Sequence, residues 1–318
     1  MSGRMTTPLI VAGVLVALWL LLEFKTSRPD GTLVNVPPYR RIMQYLMPTR
    51  NESVVYFDAA IDATKFNAWL DKVKETCGSG TTHATVAAVG IGLAATPNMN
   101  RFVEGRRLYQ RKGLWLTFSM LRTRLDREAK IGTVKKEFVD GETFKQWCDR
   151  LNGGISEERS GKKTSGDKEL DLFNLLPRPL LAVAAKAINL ANYYNVLPGF
   201  FIKDDPMHSS IFVANLGSLN MGPGYHHLYE YGNCPLFIMF GKTELAPMVE
   251  NGEVVVRPRM PIRFSFDERI DHGLGARHGI DAVLRVLRDP ERFLGCTAAD
   301  GSDAKPMWPN PEWDKPDA

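Results

Sequence analysis

The adjacent histidines His226 and His227 are the first residues whose type and spacing suggest chemistry. They lie in the segment GPGYHHLYEYGN. One interpretation is a proton relay or metal pair, and the other is two solvated loop histidines. Apart from Glu230, no carboxylate or cysteine lies at ligand spacing from them, which favours the loop interpretation. The sequence therefore predicts no metal site.

The cysteines are candidates for a metal or redox site, and the glycine-rich segments are candidates for a nucleotide-binding site. Neither set has the spacing that such a site requires. No C-x-x-C or Cys/His ligand pattern occurs, so we expect free buried thiols in a reducing compartment at Cys77, Cys148, Cys234 and Cys296. The segment GLGARHG lacks the strand and helix order of a dinucleotide fold, and no G-x-x-x-x-G-K-S/T motif is present. A net charge of +4, with Lys and Arg scattered, does not indicate nucleic-acid binding.

An apolar run from Pro8 to Leu22 precedes the segments that would position a site. With its flanking residues the run predicts a short N-terminal tail (1–7) and one transmembrane helix (8–24). The alternative is a cleaved signal peptide, but no small-x-small site follows the run. More Lys and Arg lie after the run than before it, which predicts a single-pass membrane protein with its C-terminal domain in the cytoplasm.

The rest of the chain divides into a tether, one domain and a tail. The prolines of 25–52 predict a Pro-rich tether, and the Pro- and Asp-rich segment 296–318 predicts a disordered tail. Between them, strand and helix patterns interleave over 53–295, which predicts a mixed α/β sandwich. The apolar segment from Leu175 to Ile202 predicts a helix packed on the core, with an interfacial helix on a membrane as the alternative.

Individual elements follow from hydrophobic periodicity. VVYFDAAID predicts a strand, and ATKFNAWLDKVKE predicts a helix with Phe66, Trp69, Leu70 and Val73 on one face. Later strands are predicted in SSIFVANLGS, CPLFIMFGKTE, EVVVRPRM and IRFSFDE. The last helix, DAVLRVLRDPERFL, has a predicted buried stripe of Val283, Leu284, Leu287 and Phe293.

The C-terminal third carries a more specific pattern. FVANLGS (212–218), PLFIMFGKTE (235–244), a basic hairpin, FDERIDHG (266–273) and a helix ending in DPERFL follow one another in the chain. This succession resembles the catalytic domain of the dihydrolipoyl acyltransferases, the cores of 2-oxo acid dehydrogenase complexes. The resemblance is strong here and looser from Ser53 onward. It implies a chloramphenicol acetyltransferase-like two-layer α/β sandwich, a homotrimer with an active site at each subunit interface, and coenzyme A or acyl-coenzyme A as substrate.

The resemblance also implies where the site lies and how this sequence departs from it. The family's general base is the histidine of H-x-x-x-D-G, since an imidazole titrates near neutrality, and a serine before N-L-G donates to the oxyanion. Here Glu268 stands at the histidine position and His272 at the second aspartate position, whereas Ala214 replaces the serine. No lipoyl-lysine segment D-K-A is present, so we expect no lipoyl group on this chain.

Three interpretations of this departure remain. In the first, Glu268 and His272 form a catalytic pair from exchanged positions, with Glu268 orienting the imidazole. In the second, acyl transfer is lost and the domain is a scaffold or binding module. In the third, the apolar insertion enlarges the pocket for a lipid or long acyl chain. Loss of the base and the oxyanion donor favours the second, whereas the retained motif and the new histidine favour an active enzyme.

Four further residues are candidates for binding coenzyme A. Arg257 and Arg259, beside Arg263 on the basic hairpin, could face its phosphates, or they could be charges that keep an exposed strand edge soluble. Asn215 and Ser218 flank the strand motif and are candidates to replace the missing donor, with a structural role as the alternative.

Overall fold

The computed structural model describes residues 3–122, 131–160, 171 and 173–315, with side chains of the first helix from Pro8 on. Its centre is a seven-stranded mixed sheet in the order β2-β10-β8-β7-β5-β6, with β9 paired to β10 alone. Strands β5, β7 and β8 are parallel to one another, and the remaining pairs are antiparallel. The seven strands are β2 (Val54–Asp62), β5 (Trp115–Leu121), β6 (Ile131–Glu137), β7 (Ile211–Asn215), β8 (Leu236–Phe240), β9 (Glu244–Glu250) and β10 (Glu253–Asp267).

A helical layer packs on this sheet and forms the main core with it. Helix α4 (Thr81–Ala95) is buried along most of its length and ends before Pro97. Phe66, Trp69 and Val73 are buried as predicted, and so are the four residues of the stripe predicted for the last helix. The layer consists of α3 (Thr64–Cys77), α4 (Thr81–Ala95), α5 (Phe144–Arg159), α8 (Gly273–Arg288) and α9 (Pro290–Leu294). The predicted α/β sandwich is therefore confirmed.

The transmembrane helix is the part of the predicted fold that is wrong. Helix α1 extends over Gly3–Phe24. Among the described residues no helix is both long enough and apolar enough to cross a membrane. The uncharged run 8–22 reaches roughly 22 Å at a rise of about 1.5 Å per residue, which is short of a hydrocarbon core of about 30 Å.

The segment predicted as a tether is folded onto the domain. It contains β1 (Gly31–Leu33) and α2 (Pro38–Leu46). Strand β1 joins a three-stranded sheet in the order β1-β4-β3, with β3 at Arg101–Glu104 and β4 at Arg107–Arg111. Just before β1, the buried Arg28 guanidinium donates to the Asn195 side-chain oxygen at 3.0 Å. Polar contacts with distant residues therefore order a segment whose prolines predicted a tether.

The C-terminal segment also differs from its predicted disorder. Met307 is fully buried, and the Trp308 and Trp313 rings meet edge to face with centroids 5.2 Å apart. The Trp313 ring also contacts Phe293. Aromatic burial orders this segment despite its prolines.

The apolar insertion forms α6 (Arg178–Tyr193) and α7 (Gly199–Asp204), and α6 leaves much of its apolar face exposed. The side chains of Leu180, Val183 and Leu190 are 55%, 63% and 58% exposed. Arg28 holds the end of α6 by donating to the Asn192 side-chain oxygen at 3.0 Å. The insertion is therefore attached by polar bonds at its end, which differs from the core-packed helix that its apolar composition predicts.

Candidate functional site

The loop between β10 and α8 carries both predicted catalytic residues, and a buried ion pair fixes its shape. Asp267, which is fully buried, accepts two bonds from the Arg269 guanidinium, at 2.8 Å from Nε and 2.7 Å from Nη2. Ser53 Oγ donates to the same carboxylate at 2.8 Å, and Arg269 Nη1 donates to the Met47 carbonyl at 2.9 Å. Burial alone would lower the pKa of Arg269, but the bonds to Asp267 raise it above its ordinary value. Asp267 and Arg269 therefore have a structural role.

Glu268 is half-buried at the start of this loop. Its backbone N–H donates to the Ser53 carbonyl at 3.0 Å, which continues the ladder of β10 against the chain before β2. Within the described chain its carboxylate forms no hydrogen bond or ion pair. Its backbone is therefore fixed, while its side chain has no partner there.

His272 caps helix α8. Its Nδ1 accepts from the Gly275 N–H at 3.4 Å, and its Nε2 lies 3.9 Å from Oδ1 of the buried Asp271. An Nδ1 that accepts a bond leaves the proton of a neutral imidazole on Nε2. The side chain is 62% exposed. The described contacts thus make His272 a capping residue of its own loop.

The structure does not join the two members of the predicted pair. Within the described part of one chain, no ion pair or hydrogen bond connects the Glu268 carboxylate with the His272 imidazole. The carboxylate that pairs with the His272 imidazole is that of Asp271. The Asp271 carboxylate also lies 3.6 Å from Arg40 Nη1. The sequence interpretation missed Asp271 because its guanidinium partner belongs to the predicted tether.

Ala214 lies in β7, where the resemblance implies an oxyanion-binding serine. The residue is 5% exposed and packs in an apolar cluster with Phe212, Leu228, Cys234 and Phe237. A methyl group donates no hydrogen bond, so this position cannot stabilise an oxyanion through its side chain.

The two candidate replacement donors are already engaged. The Asn215 side-chain amide donates to Thr82 Oγ1 at 3.0 Å, which links the end of β7 to the start of α4. Ser218 Oγ donates to the Asn215 carbonyl at 2.7 Å, within the single 3₁₀ turn Leu216–Leu219. Both side chains therefore have structural partners in the described chain.

The arginines of the hairpin differ in their partners. Arg257 Nη2 lies 2.6 Å from Glu250 and its Nε 3.7 Å from Asp62, whereas Arg263 Nε lies 2.8 Å from Asp58. Arg259 forms no ion pair with any described residue. Of the two predicted coenzyme-binding arginines, Arg259 therefore has the guanidinium more available to a phosphate.

His226 and His227 stack beside the apolar cluster. The His226 ring lies 4.0 Å from the Phe237 ring and 4.8 Å from the His227 ring, centroid to centroid. Burial lowers the pKa of His226 from its ordinary value. Each Nδ1 approaches the backbone carbonyl of the next residue, at 2.6 Å for His226 and 3.0 Å for His227. Across the described residues, no group of three His, Cys, Asp or Glu side chains is arranged to hold a metal ion.

With this geometry, the fold is that of acyltransferase catalytic domains. A probable dihydrolipoamide acetyltransferase from Listeria monocytogenes aligns with a TM-score of 0.53 and 14% identity, over 80% of this chain and 94% of that chain. The cubic core of the pyruvate dehydrogenase multienzyme complex aligns with a TM-score of 0.53 and 14% identity, over 81% and 93%. No family model matches the sequence.

A third similar structure is the dihydrolipoamide acetyltransferase of Azotobacter vinelandii, with a TM-score of 0.53, 15% identity and coverage of 81% and 93%. In that enzyme a serine, a histidine and an asparagine have been investigated for their role in the catalytic mechanism. Identities this low show a shared fold. The predicted resemblance to these catalytic domains is confirmed at that level.

Proposed function

We propose that this chain is a homotrimeric scaffold or binding module built on the acyltransferase fold, without acyl transfer at the β10–α8 loop. The observation that carries the proposal is Ala214, whose buried methyl group lies in β7 among apolar side chains. Removing one oxyanion donor from an enzyme typically costs about 10²–10³ in kcat. Asn215 and Ser218, the nearest candidates to compensate, are bonded elsewhere.

The geometry of the general base supports the same proposal. A general base for a thiol must present an unprotonated nitrogen or carboxylate oxygen to it. At His272 the Gly275 N–H donates to the residue's own carbonyl at 3.0 Å and to Nδ1 at 3.4 Å, and this second, long bond favours the tautomer with its proton on Nε2. A carboxylate is a much weaker base than a thiolate, so the Glu268 side chain is a poor acceptor for a thiol proton.

Two measurements on the full chain test the proposal. Sedimentation equilibrium is expected to give a trimer at micromolar concentration, and a monomer would contradict the assembly. Acetyl-coenzyme A incubated with a free thiol acceptor is expected to transfer no acyl group above the rate without protein. Enzyme-dependent transfer would contradict the loss of catalysis.

The second candidate function is a coenzyme A-dependent acyltransferase that uses Glu268 and His272 on a lipid or long acyl substrate. It is favoured by the carboxylate of Glu268, which has no partner among the described residues, and by the 62% exposure of the His272 side chain on the same loop. This candidate expects calorimetric binding of coenzyme A that weakens in Arg259→Ala, and transfer that His272→Ala abolishes. His278→Ala is the matched control, because it removes an exposed histidine from the same helix.

A further inference from the structure

Helix α6 presents a stripe of apolar side chains on its exposed face. The stripe consists of Leu180, Val183, Ala187 and Leu190, which recur at the three- and four-residue spacing of one helix face. Each of these four residues is exposed, and so is Phe200 in the short helix α7 that follows. Contiguous exposed apolar surface marks a site of contact with a protein or a membrane.

The charged residues around this stripe are basic. From 173 to 203 the sequence contains no acidic residue, whereas Arg178, Lys186 and Lys203 are basic and exposed. Lys186 and Asn189 lie on the polar side of α6, next to the stripe. An apolar face bordered by bases is typical of helices that lie in the interface of an anionic bilayer. Charge complementarity therefore favours lipid as the partner of this face.

A second copy of the same face is a poorer partner. Two stripes packed together would bring Lys186 of one chain towards the bases of the other, and segment 173–203 has no acidic residue to pair with them. Like charges placed opposite one another oppose association. Anionic headgroups attract every one of these bases.

The end of α6 is fixed to the domain beside the end of α1. Arg28 Nη1 donates to Asn195 Oδ1 at 3.0 Å, and Asn195 Nδ2 donates to the Lys25 carbonyl at 2.8 Å. Lys25 is the residue that follows α1, and the residues of α1 from 8 to 21 are exposed as well. Two helices with exposed apolar side chains therefore end at neighbouring points of the domain, where one extended apolar partner can contact both.

We propose that the exposed face of α6 binds the surface of an anionic lipid bilayer. The apolar stripe enters the boundary between headgroups and acyl chains, and Lys186 contacts the lipid phosphates. The helix lies along the surface and does not cross the bilayer. Because this face belongs to one chain and includes no residue of the β10–α8 loop, lipid binding and acyl transfer can each fail without the other.

Co-sedimentation of the full chain with lipid vesicles tests the proposal. We expect tighter binding to vesicles of phosphatidylcholine and phosphatidylglycerol in equal amounts than to vesicles of phosphatidylcholine alone. Val183→Gln/Leu190→Gln removes half of the stripe and is expected to weaken binding to the mixed vesicles about tenfold or more. Glutamine is a good helix former and both side chains are exposed, so the variant is expected to keep the wild-type circular dichroism.

Two further variants identify the contribution of each part of the face. Leu245→Gln/Val254→Gln makes the same changes at exposed positions of the β9–β10 hairpin and is expected to bind as the wild type does. Lys186→Gln is expected to weaken binding to the mixed vesicles about fivefold and to leave binding to phosphatidylcholine vesicles unchanged.

Three results would overturn the proposal. One is the absence of wild-type binding to the mixed vesicles. Another is equal binding by the wild type and Val183→Gln/Leu190→Gln, which would assign the lipid contact to α1, or equal loss in both double variants. The last is a smaller oligomer for Val183→Gln/Leu190→Gln than for the wild type in sedimentation without lipid, which would make this face a contact between copies of the chain.

Discussion

Replacement of Arg269 by Met is expected to destabilise the folded domain strongly, because it removes the partner of the most buried carboxylate in the candidate loop. Asp267 is fully buried, and the Arg269 side chain is 4% exposed. Four polar bonds converge on the carboxylate: two from the guanidinium, at 2.8 and 2.7 Å, one from Ser53 Oγ, at 2.8 Å, and one from the Arg269 backbone N–H, at 3.0 Å. Without the Arg269 guanidinium, the Asp267 carboxylate stays charged in the interior. Its remaining donors are the Ser53 hydroxyl and the backbone N–H of residue 269.

The size of the effect follows from this burial. Breaking a buried ion pair by removing one partner typically costs about 3–5 kcal/mol, whereas a surface pair contributes about 1 kcal/mol or less. Natural domains unfold with roughly 5–15 kcal/mol, so the loss is a large part of the total. At a urea m value of about 3 kcal/mol/M, the midpoint is expected to fall by about 1–2 M.

Urea denaturation followed by circular dichroism measures the change. Arg277→Met is the matched control, since that side chain is 75% exposed and its partner Asp281 lies at the surface, and its midpoint is expected to stay nearly constant. The double variant Asp267→Asn/Arg269→Met is expected to recover part of the loss, because it removes the buried charge as well. A loss below about 1 kcal/mol in Arg269→Met would refute the structural role assigned to this pair.

Three other changes probe separate parts of the molecule. Burial lowers the pKa of Lys135 from 10.5 to about 8, so the folded state binds fewer protons than the unfolded state between these values. The free energy of unfolding should therefore increase as the pH rises from about 8 to 10.5. The urea midpoint of Lys135→Met should increase less than that of the wild type over the same pH range. Met307→Ala should lower the unfolding free energy by about 2–5 kcal/mol, because the side chain is fully buried; an unchanged thermal midpoint would show that the C-terminal segment does not pack. Ala214→Ser should cost about 1–3 kcal/mol by placing a hydroxyl in an apolar cluster, without producing acyl transfer.

Local patterns predicted the parts of the fold in which periodicity and burial agree. The helix with Phe66, Trp69 and Val73 and the strand Val54–Asp62 lie where the sequence placed them. The order of motifs in the C-terminal third also identified the fold. Within one helix or strand, the spacing of apolar residues in the sequence determines which side chains share a face. The spacing therefore predicts both the type of element and its buried side.

Long-range contacts are the part that the sequence could not show. Arg28 donates to Asn192 across 164 positions, and this bond helps to order a segment that proline content alone describes as a tether. The same holds for Asp271, which lies near Arg40. Spacing placed Glu268 and His272 on one loop, but the cap on Gly275 depends on the exact start of α8.

The most direct test of the central claim is the rate of acyl transfer from acetyl-coenzyme A to a dithiol acceptor by the full chain. We expect the rate to equal that without protein, for the wild type and for His272→Ala alike. A protein-dependent rate that disappears in His272→Ala, and persists in His278→Ala, would contradict the claim that this acyltransferase fold does not transfer acyl groups.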